Sequence, residues 1–310
     1  MRARRLGSTV LFALLFLATR AGVVVATLVL GLRASATSYT FTPVDVPGAV
    51  ATFALGINDA GEIVGSRSDE SSVQAFLLSG GIYTTLEVPF TAEGSFANGI
   101  NDAGQIVGGI NFMDGSGAFL FENGRFTLLP PVSCCDVYAA AEDINDAGQI
   151  LVGRTRVPGS VSEGFLYEAG SVTPVIPPGA SSTVLGGIDD GGDIVGASDA
   201  PGFTFFLLSG GVYTALDLPS HPVGINDSGQ ILGPAWVWSN GVVTPLSVSG
   251  AIDFMASSIN DAGAIVGWYR TADRSTHGFL ATPVPEPKAL LLFTLVLSWL
   301  LLPRQGPAIR

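Results

Sequence analysis

Six aspartates recur along the chain, each inside the same short phrase. The phrase Ile-Asn-Asp-Ala-Gly, or a close variant of it, returns at intervals of 43, 44, 44, 37 and 34 residues. Repeated carboxylates could bind calcium, but that ion takes six or more oxygen ligands and each phrase offers one or two. We therefore predict a structural role for these acids and no metal site. The six are Asp59, Asp102, Asp146, Asp190, Asp227 and Asp261.

Turn chemistry explains the phrase without a ligand. An Asn at the first position of a type I turn bonds the backbone ahead of it, and the Gly three residues later takes the left-handed conformation of a three-residue hairpin. The Asp between them tolerates the turn and accepts backbone N–H groups. The phrases thus predict six tight β-hairpins and no cofactor.

Markers of catalysis are scarce. The chain has two histidines, His221 and His277, and they lie in different repeats. It has no Gly-x-Ser-x-Gly elbow, no His-Glu-x-x-His, no glycine-rich phosphate loop and no spaced cysteine pair for zinc. A carboxylate pair of the kind that glycosidases use remains open, because acids are abundant. We predict that the protein is not an enzyme and assign no catalytic residue; the alternative is a polysaccharide hydrolase or lyase.

Charge and cysteine content restrict the partners. Residues 37–287 contain all 26 acidic residues and six of the 14 basic ones, a net charge of −20, which repels the phosphate backbone of nucleic acids. Cys134 and Cys135 are the only cysteines. In an exported chain they bond each other, bond another chain or stay buried as thiols, and the sequence leaves these alternatives open.

The repeats have the pattern of units of four short strands. In the second unit, apolar, β-branched or aromatic runs at 95–100, 105–108, 118–121 and 125–129 are separated by turns, and no run has a helical period. The last unit stops after its third strand, whereas an additional strand at 39–46 precedes the first unit. Because that strand parallels the fourth strands of other units, it should complete the last one. The sequence predicts an all-β fold, a six-bladed β-propeller closed by its N-terminal strand.

Loops between the second and third strands differ in length, whereas the hairpins of the opposite face are nearly uniform. Length variation of this kind collects on the binding face of repeat proteins. Five of the six arginines of residues 37–287 are assigned to these loops, and arginine suits bidentate recognition of carboxylate or sulfate. We predict that they bind an anionic extracellular polysaccharide. The five are Arg67, Arg154, Arg156, Arg270 and Arg274.

The two ends of the chain carry targeting features. Residues 1–36 combine a basic start, apolar stretches and the small-x-small site at 34–36, a pattern typical of a secretory signal peptide, with an uncleaved anchor as the alternative. At the other end a short motif precedes an apolar stretch at 289–302, which is too short to span a bilayer easily. We expect both stretches to be helices that associate transiently with a membrane. The motif is Val284, Pro285, Glu286 and Pro287.

Two families resemble parts of this chain. The repeated phrase, with Gly-Phe-Leu-Tyr at 164–167 and Thr-x-Leu-Asp-x-Pro at 214–219, resembles the HAF repeat of probable extracellular bacterial proteins, over residues 39–281. The C-terminal segment resembles the PEP-CTERM sorting signal of Gram-negative bacteria, which an exosortase-type enzyme processes. The resemblances imply export, membrane anchoring before C-terminal processing and association with exopolysaccharide, but no specific activity.

Three segments follow: a signal peptide at 1–36, a six-repeat β-propeller at 37–282 and a sorting segment at 283–310. We expect an exported binding or structural module of the cell surface or extracellular matrix.

Overall fold

The computed structural model describes residues 11–19, 22–30, 37–89, 92–113, 115–130, 137–156 and 161–284. Every regular element in these ranges is a β-strand, which confirms the predicted all-β class. The strands coincide with short β-branched and aromatic runs that Gly, Asn and Pro interrupt. Within the same ranges, the chain forms no helix long and apolar enough to cross a membrane.

The apolar segment at the N-terminus is not the helix that the sequence predicts. Strands β1 (Leu11–Thr19) and β2 (Gly22–Leu30) pair antiparallel in this segment. The second strand is rich in Val and Thr, whose branched β-carbons favour extended backbone. The prediction of a targeting helix is therefore wrong at this end. The predicted C-terminal helix at 289–302 lies outside the described residues.

Strands β3 to β26 fall into six antiparallel units of four strands. The third, fourth and fifth units are separate sheets, whereas single parallel residue pairs join the sixth, first and second units into one twelve-stranded sheet. The first unit contains β4 (Ala51–Ile57), β5 (Ile63–Ser68), β6 (Val73–Ser79) and β7 (Ile82–Thr85). The second contains β8 (Gly94–Ile100), β9 (Ile106–Phe112), β10 (Gly115–Glu122) and β11 (Arg125–Leu128). The third contains β12 (Val137–Ile144), β13 (Ile150–Arg156), β14 (Val161–Glu168) and β15 (Ser171–Val175).

The remaining units follow the same order, with one exchange. The fourth contains β16 (Thr183–Ile188), β17 (Ile194–Ser198), β18 (Phe205–Ser209) and β19 (Val212–Ala215). The fifth contains β20 (Gly224–Ile225), β21 (Ile231–Gly233), β22 (Trp236–Ser239) and β23 (Val242–Pro245). The sixth contains β24 (Asp253–Ile259), β25 (Ile265–Arg270), β26 (Thr276–Val284) and, as its fourth strand, β3 (Ser38–Val44).

The N-terminal strand β3 pairs with β26 along its whole length, from Val44 opposite Gly278 to Ser38 opposite Val284. This is the pairing that the sequence predicts for the surplus strand. A single parallel residue pair, Ala51 with Thr276, also joins the first unit to the sixth. The two ends of the repeat array therefore meet.

Hydrophobic clusters lie between successive units. The cluster between the first and second units includes Val64 and Ala75 of one unit and Phe119 of the other. A corresponding cluster joins Val266 of the sixth unit to Ala54 of the first. Each unit packs on two neighbours in this way, so the hydrophobic core is divided among the junctions between units.

A β-bulge interrupts the first strand of five of the units, just before the Asn-Asp phrase. In the third unit the register shifts between Ala141 and Asp143, so that Glu142 is the extra residue. A bulge leaves one residue unpaired and redirects its side chain. The extra residues of the five units are Leu55, Asn98, Glu142, Gly186 and Ser257.

Candidate functional site

Each Asn-Asp phrase forms the hairpin between the first and second strands of a unit. In the first unit the N–H of Gly61 donates to the backbone oxygen of Asn58 (3.1 Å), and Oδ1 of Asn58 accepts the N–H of Glu62 (2.8 Å). Gly61 has a φ of 78°, in the left-handed region that favours glycine. The hairpin fixes the position of the Asp that follows the Asn.

The six phrase aspartates connect neighbouring hairpins. Oδ1 of each Asp accepts the backbone N–H of the corresponding Asp in the preceding unit, at 2.7–2.9 Å. The sixth bond runs from the N–H of Asp261 to Oδ1 of Asp59 and returns to the first unit. The hydrogen bonds thus form a closed cycle of six, and each carboxylate serves the neighbouring turn instead of its own.

The asparagines of the phrase form a second cycle, which one residue interrupts. Nδ2 of Asn145 donates to the backbone oxygen of Asp189 (2.9 Å), and four other units repeat this bond. The fourth unit has Asp189 in place of Asn, and an ionised carboxylate has no proton to donate to Asn226. Burial, together with the charges of Asp193 and Asp227, raises the pKa of Asp189 to about 6.

Three phrase aspartates have carboxylate oxygens within 4.8 Å of one another: Asp190, Asp227 and Asp261. Burial and the charges of neighbouring aspartates raise the pKa of Asp190 and of Asp261. Among the described residues, these three have the spacing that a metal ion would need, and all three are exposed.

All six units line a single cavity of about 250 Å³, which we call the axial cavity, and each contributes the residue two before its phrase Ile. Five of these six residues are the extra residues of the bulges, and the sixth is Val223, the corresponding residue of the fifth unit. His221, Pro222 and Met255 also line it. Because every unit contributes to its lining, the axial cavity lies where the first strands of the six units approach one another.

Glu142 is the one acidic side chain among these six positions. Its Oε1 lies 2.7 Å from the point that a Cβ on Gly153 would occupy, so the carboxyl packs against bare backbone. The described residues provide it with neither a hydrogen bond nor an ion pair. Burial and the charge of Asp143 raise the pKa of Glu142 to about 7.

The adjacent Asp143 occupies a position where four other units have glycine. Its Oδ1 accepts the N–H of Ile144 (2.9 Å) and its Oδ2 accepts the N–H of Ile188 in the next unit (3.0 Å). Burial nevertheless raises the pKa of Asp143 to about 7. The third unit thus places two adjacent desolvated carboxyls close to the centre of the repeat array.

A second cavity of about 340 Å³, which we call the groove, extends from Glu142 between the second, third and fourth units. Arg154 and Glu163 line the groove and form an ion pair, with Nε of Arg154 2.7 Å and Nη2 2.5 Å from Oε2 of Glu163. Tyr138 also lines it and is 58% exposed. The groove thus combines an aromatic surface, a paired arginine and carboxyl groups.

The predicted arginine site is not a set of loop residues. Four of the five arginines lie in second strands, because the strands extend further than the sequence pattern indicates: Arg67 in β5, Arg154 and Arg156 in β13 and Arg270 in β25. Arg274 lies in the turn after β25. The prediction that all five occupy loops is therefore wrong.

Three of these arginines already have partners within their own units. Besides Arg154, Arg67 donates to Oε1 of Gln74 (2.5 Å), and Arg270 lies 3.8 Å from Asp253. Each partner lies on a neighbouring strand, where cross-strand pairs meet. The side chain of Arg156 lies outside the part of the chain that the structure describes.

Several predicted features fall at or beyond the limits of the described chain. Val284 of the sorting motif is the last residue of β26, so the sheet continues two residues past the predicted domain end at 282. Pro285, Glu286 and Pro287 lie outside the described residues, as do Cys134 and Cys135.

Glu142 is the candidate residue that the sequence reasoning missed. Its signal lies in the repeat itself, because the residue two before each phrase Ile is apolar, small or an amide in every other unit. A charged residue at this position, which lines the axial cavity, differs from the uncharged residues at the five equivalent positions.

No protein-family model matches the chain, and no curated protein matches it. Among solved structures, the chain is similar to a subtype N10 neuraminidase-like protein of A/little yellow-shouldered bat/Guatemala/060/2010, with a TM-score of 0.43 and 12% sequence identity. The similarity covers 80% of this chain and 98% of that chain.

Proposed function

We propose that this protein is an exported six-bladed β-propeller that binds polysaccharide at the cell surface or in the extracellular matrix. The closed cycle of aspartate hydrogen bonds supports six blades around one axis. The short link between Val44 and Ala51 supports closure as well, since seven residues span at most about 25 Å. A strand held in the last blade therefore keeps the first blade beside it.

Export and sorting remain part of the proposal. The likeness to HAF repeats and to the PEP-CTERM signal supports delivery across the inner membrane, membrane anchoring and processing by an exosortase-type enzyme. The excess of acidic residues in the repeats supports a partner other than nucleic acid.

The groove carries the binding proposal. Its volume of about 340 Å³ lies in the range of ligand pockets, about 300–1,000 Å³. Tyr138 offers an exposed aromatic face, and Asn111 lines the groove with an amide that can bond hydroxyls. Aromatic faces beside hydrogen-bonding groups suit sugar rings, which have both apolar faces and hydroxyl edges.

A glycan panel tests this function. We expect the protein to bind at least one extracellular polysaccharide, and Tyr138→Ala to weaken that binding at least fivefold. Ile82→Ala is the matched control, because Ile82 is 70% exposed on an outer strand and lines none of the cavities described above. Weaker binding with added salt would show that charge contributes to binding, and the comparison of anionic, neutral and cationic polymers in the panel tests the predicted anionic partner. Equal loss in both variants, or no binding to any polymer, would contradict the proposal.

A polysaccharide hydrolase is the second candidate, favoured by one observation. Two glutamates, Glu142 and Glu163, line the same groove, and the pKa of Glu142, raised to about 7 by burial, suits a general acid. Reducing ends released by the natural protein but not by Glu142→Gln would establish this reaction. Stable polymer length over a long incubation would exclude it for the polymers tested.

A further inference from the structure

Among the described side chains that line the groove, one carboxyl has no cationic partner. Arg154 is paired with Glu163, and Glu142 is the carboxyl that is left. His221, which lines the axial cavity, is the other described group nearby that can carry positive charge. The groove therefore favours a cation over an anion wherever a ligand reaches Glu142.

The position of Glu142 suits contact with a ligand. It lines both the groove and the axial cavity, so it lies where the two meet. The bulge of β12 directs it away from the strand ladder, and no described group satisfies its oxygens. The carboxyl is half-buried, and its oxygens are free of donors from the described residues, so they can accept the N–H groups of a bound ligand.

We infer that Glu142 binds the protonated primary amine of an amino sugar at the junction of the groove and the axial cavity. This inference rests on the proposed polysaccharide function and names the chemical class of its ligand. An ammonium group carries three N–H donors, and Glu142 can accept one of them. Oδ1 of Asn98 and the hydroxyl of Ser257 are further acceptors lining the axial cavity, since Asn98 uses its Nδ2 to bond the backbone oxygen of Ala141 (2.9 Å).

The surrounding groups support an amine over its acetylated form. Tyr138 lines the same groove four residues before Glu142 along β12, where its ring can contact a neighbouring sugar of the bound chain. Acetylation of the nitrogen removes the positive charge and two donors, and it places a methyl group against a desolvated carboxyl. The net charge of −20 over residues 37–287 also attracts a cationic polymer and slows the approach of an anionic one.

Calorimetric titration with a matched pair of oligosaccharides tests the inference. The probes are the trisaccharide of β-1,4-linked glucosamine and its fully N-acetylated counterpart, at pH 7 and physiological salt. We expect the amine form to bind at least tenfold more tightly. Glu142→Gln should reduce amine binding at least tenfold and change binding of the acetylated form less than twofold.

Glu70→Gln is the matched control, because Glu70 is exposed in the loop between β5 and β6 and the change removes the same charge. It should leave both affinities within twofold of the natural protein. A second readout is proton release. At about pH 5.5 the amine carries its proton and the free Glu142, with its raised pKa, is largely protonated as well, so binding of the ammonium to the carboxylate should expel a proton, and the measured heat should depend on the ionisation enthalpy of the buffer. Glu142→Gln should abolish that dependence.

The outcomes separate this inference from the proposed function. Equal affinity for the two trisaccharides, or undiminished amine binding by Glu142→Gln, overturns the amine site while polysaccharide binding stands. Glucosamine itself, titrated by NMR, is the probe that requires no polymer. If no polysaccharide binds but glucosamine shifts resonances in a manner that depends on Glu142, the amine site stands and the polysaccharide function fails. If neither glucosamine nor the amine trisaccharide binds, the inference is wrong.

Discussion

Glu142→Gln should stabilise the protein at alkaline pH and leave its stability nearly unchanged in acid. The carboxyl ionises with a pKa of about 7 in the folded state, against an ordinary value of 4.5, because it is desolvated and lies beside Asp143. Each tenfold change in proton affinity corresponds to about 1.4 kcal/mol, so the ionised folded form is disfavoured by about 3 kcal/mol. Glutamine keeps the shape and removes the charge.

The sign follows from proton linkage. Below pH 4.5 the acid is neutral in both the folded and unfolded states, and the penalty is absent. Between pH 4.5 and 7 the unfolded chain loses the proton first, so the natural protein loses stability as pH rises through this window. Above pH 7 the penalty is complete. The advantage of Glu142→Gln should therefore grow from near zero at pH 4.5 to about 3 kcal/mol at pH 8.

Urea denaturation followed by tryptophan fluorescence measures this difference at pH 4.5, 6 and 8. Glu70→Gln controls for the change in net charge and should show no comparable rise, because Glu70 is exposed. An advantage of Glu142→Gln that stays constant across the pH range would refute the reasoning. A loss of stability at pH 8 would do so as well, since it would reveal a stabilising partner for the carboxylate.

Further predictions concern one substitution, two deletions and the processing of the secreted chain. Asp189→Asn supplies the missing donor of the asparagine cycle and should raise the free energy of unfolding at pH 8 by about 1 kcal/mol in urea denaturation, whereas a decrease would contradict the cycle. Removal of residues 37–47 takes away β3, including Phe41, whose ring centroid lies 5.4 Å from that of Phe279, and should abolish cooperative unfolding in urea. Removal of 285–310 should lower the urea midpoint of unfolding far less. Intact-mass analysis of secreted protein should find a chain that begins near residue 37 and lacks 289–302, and a mature chain with both apolar segments would contradict the sorting proposal.

The local sequence pattern predicted most of the strands and turns, because the period of a strand and the conformation of a hairpin depend on residues that are close together in the chain. The turn of Asn58 and Gly61 depends on five consecutive residues, and so does its signal in the sequence. The additional strand at 39–46 was predictable from a comparison of the repeats, because the last repeat lacks a fourth strand and this segment parallels the fourth strands of other repeats. The apolar N-terminal segment was predicted wrongly, since its two apolar runs pair as strands and apolar content alone does not distinguish a strand from a helix.

Contacts between units could not be predicted from single units. The bond from the backbone of Asp59 to Asp102 joins residues 43 positions apart, and the phrase gives no sign that its carboxylate serves a neighbour. The same holds for Arg154, whose pairing with Glu163 depends on the register of β13 and β14. The importance of Glu142 depends on the cavity around it, which only the assembled units create.

Closure of the ring is tested most directly by a disulfide between β3 and β26. Thr40 and Thr282 are exposed and opposite each other, and antiparallel neighbours lie at a Cα separation that a disulfide can bridge. In a chain with Cys134 and Cys135 changed to Ser, Thr40→Cys with Thr282→Cys should oxidise completely, as shown by loss of free thiol and by a shifted mobility that reductant restores. The control, Thr42→Cys with Thr282→Cys, is two residues out of register and should oxidise poorly. Free thiols in the first pair, or equal oxidation of both pairs, would contradict a propeller closed by its N-terminal strand.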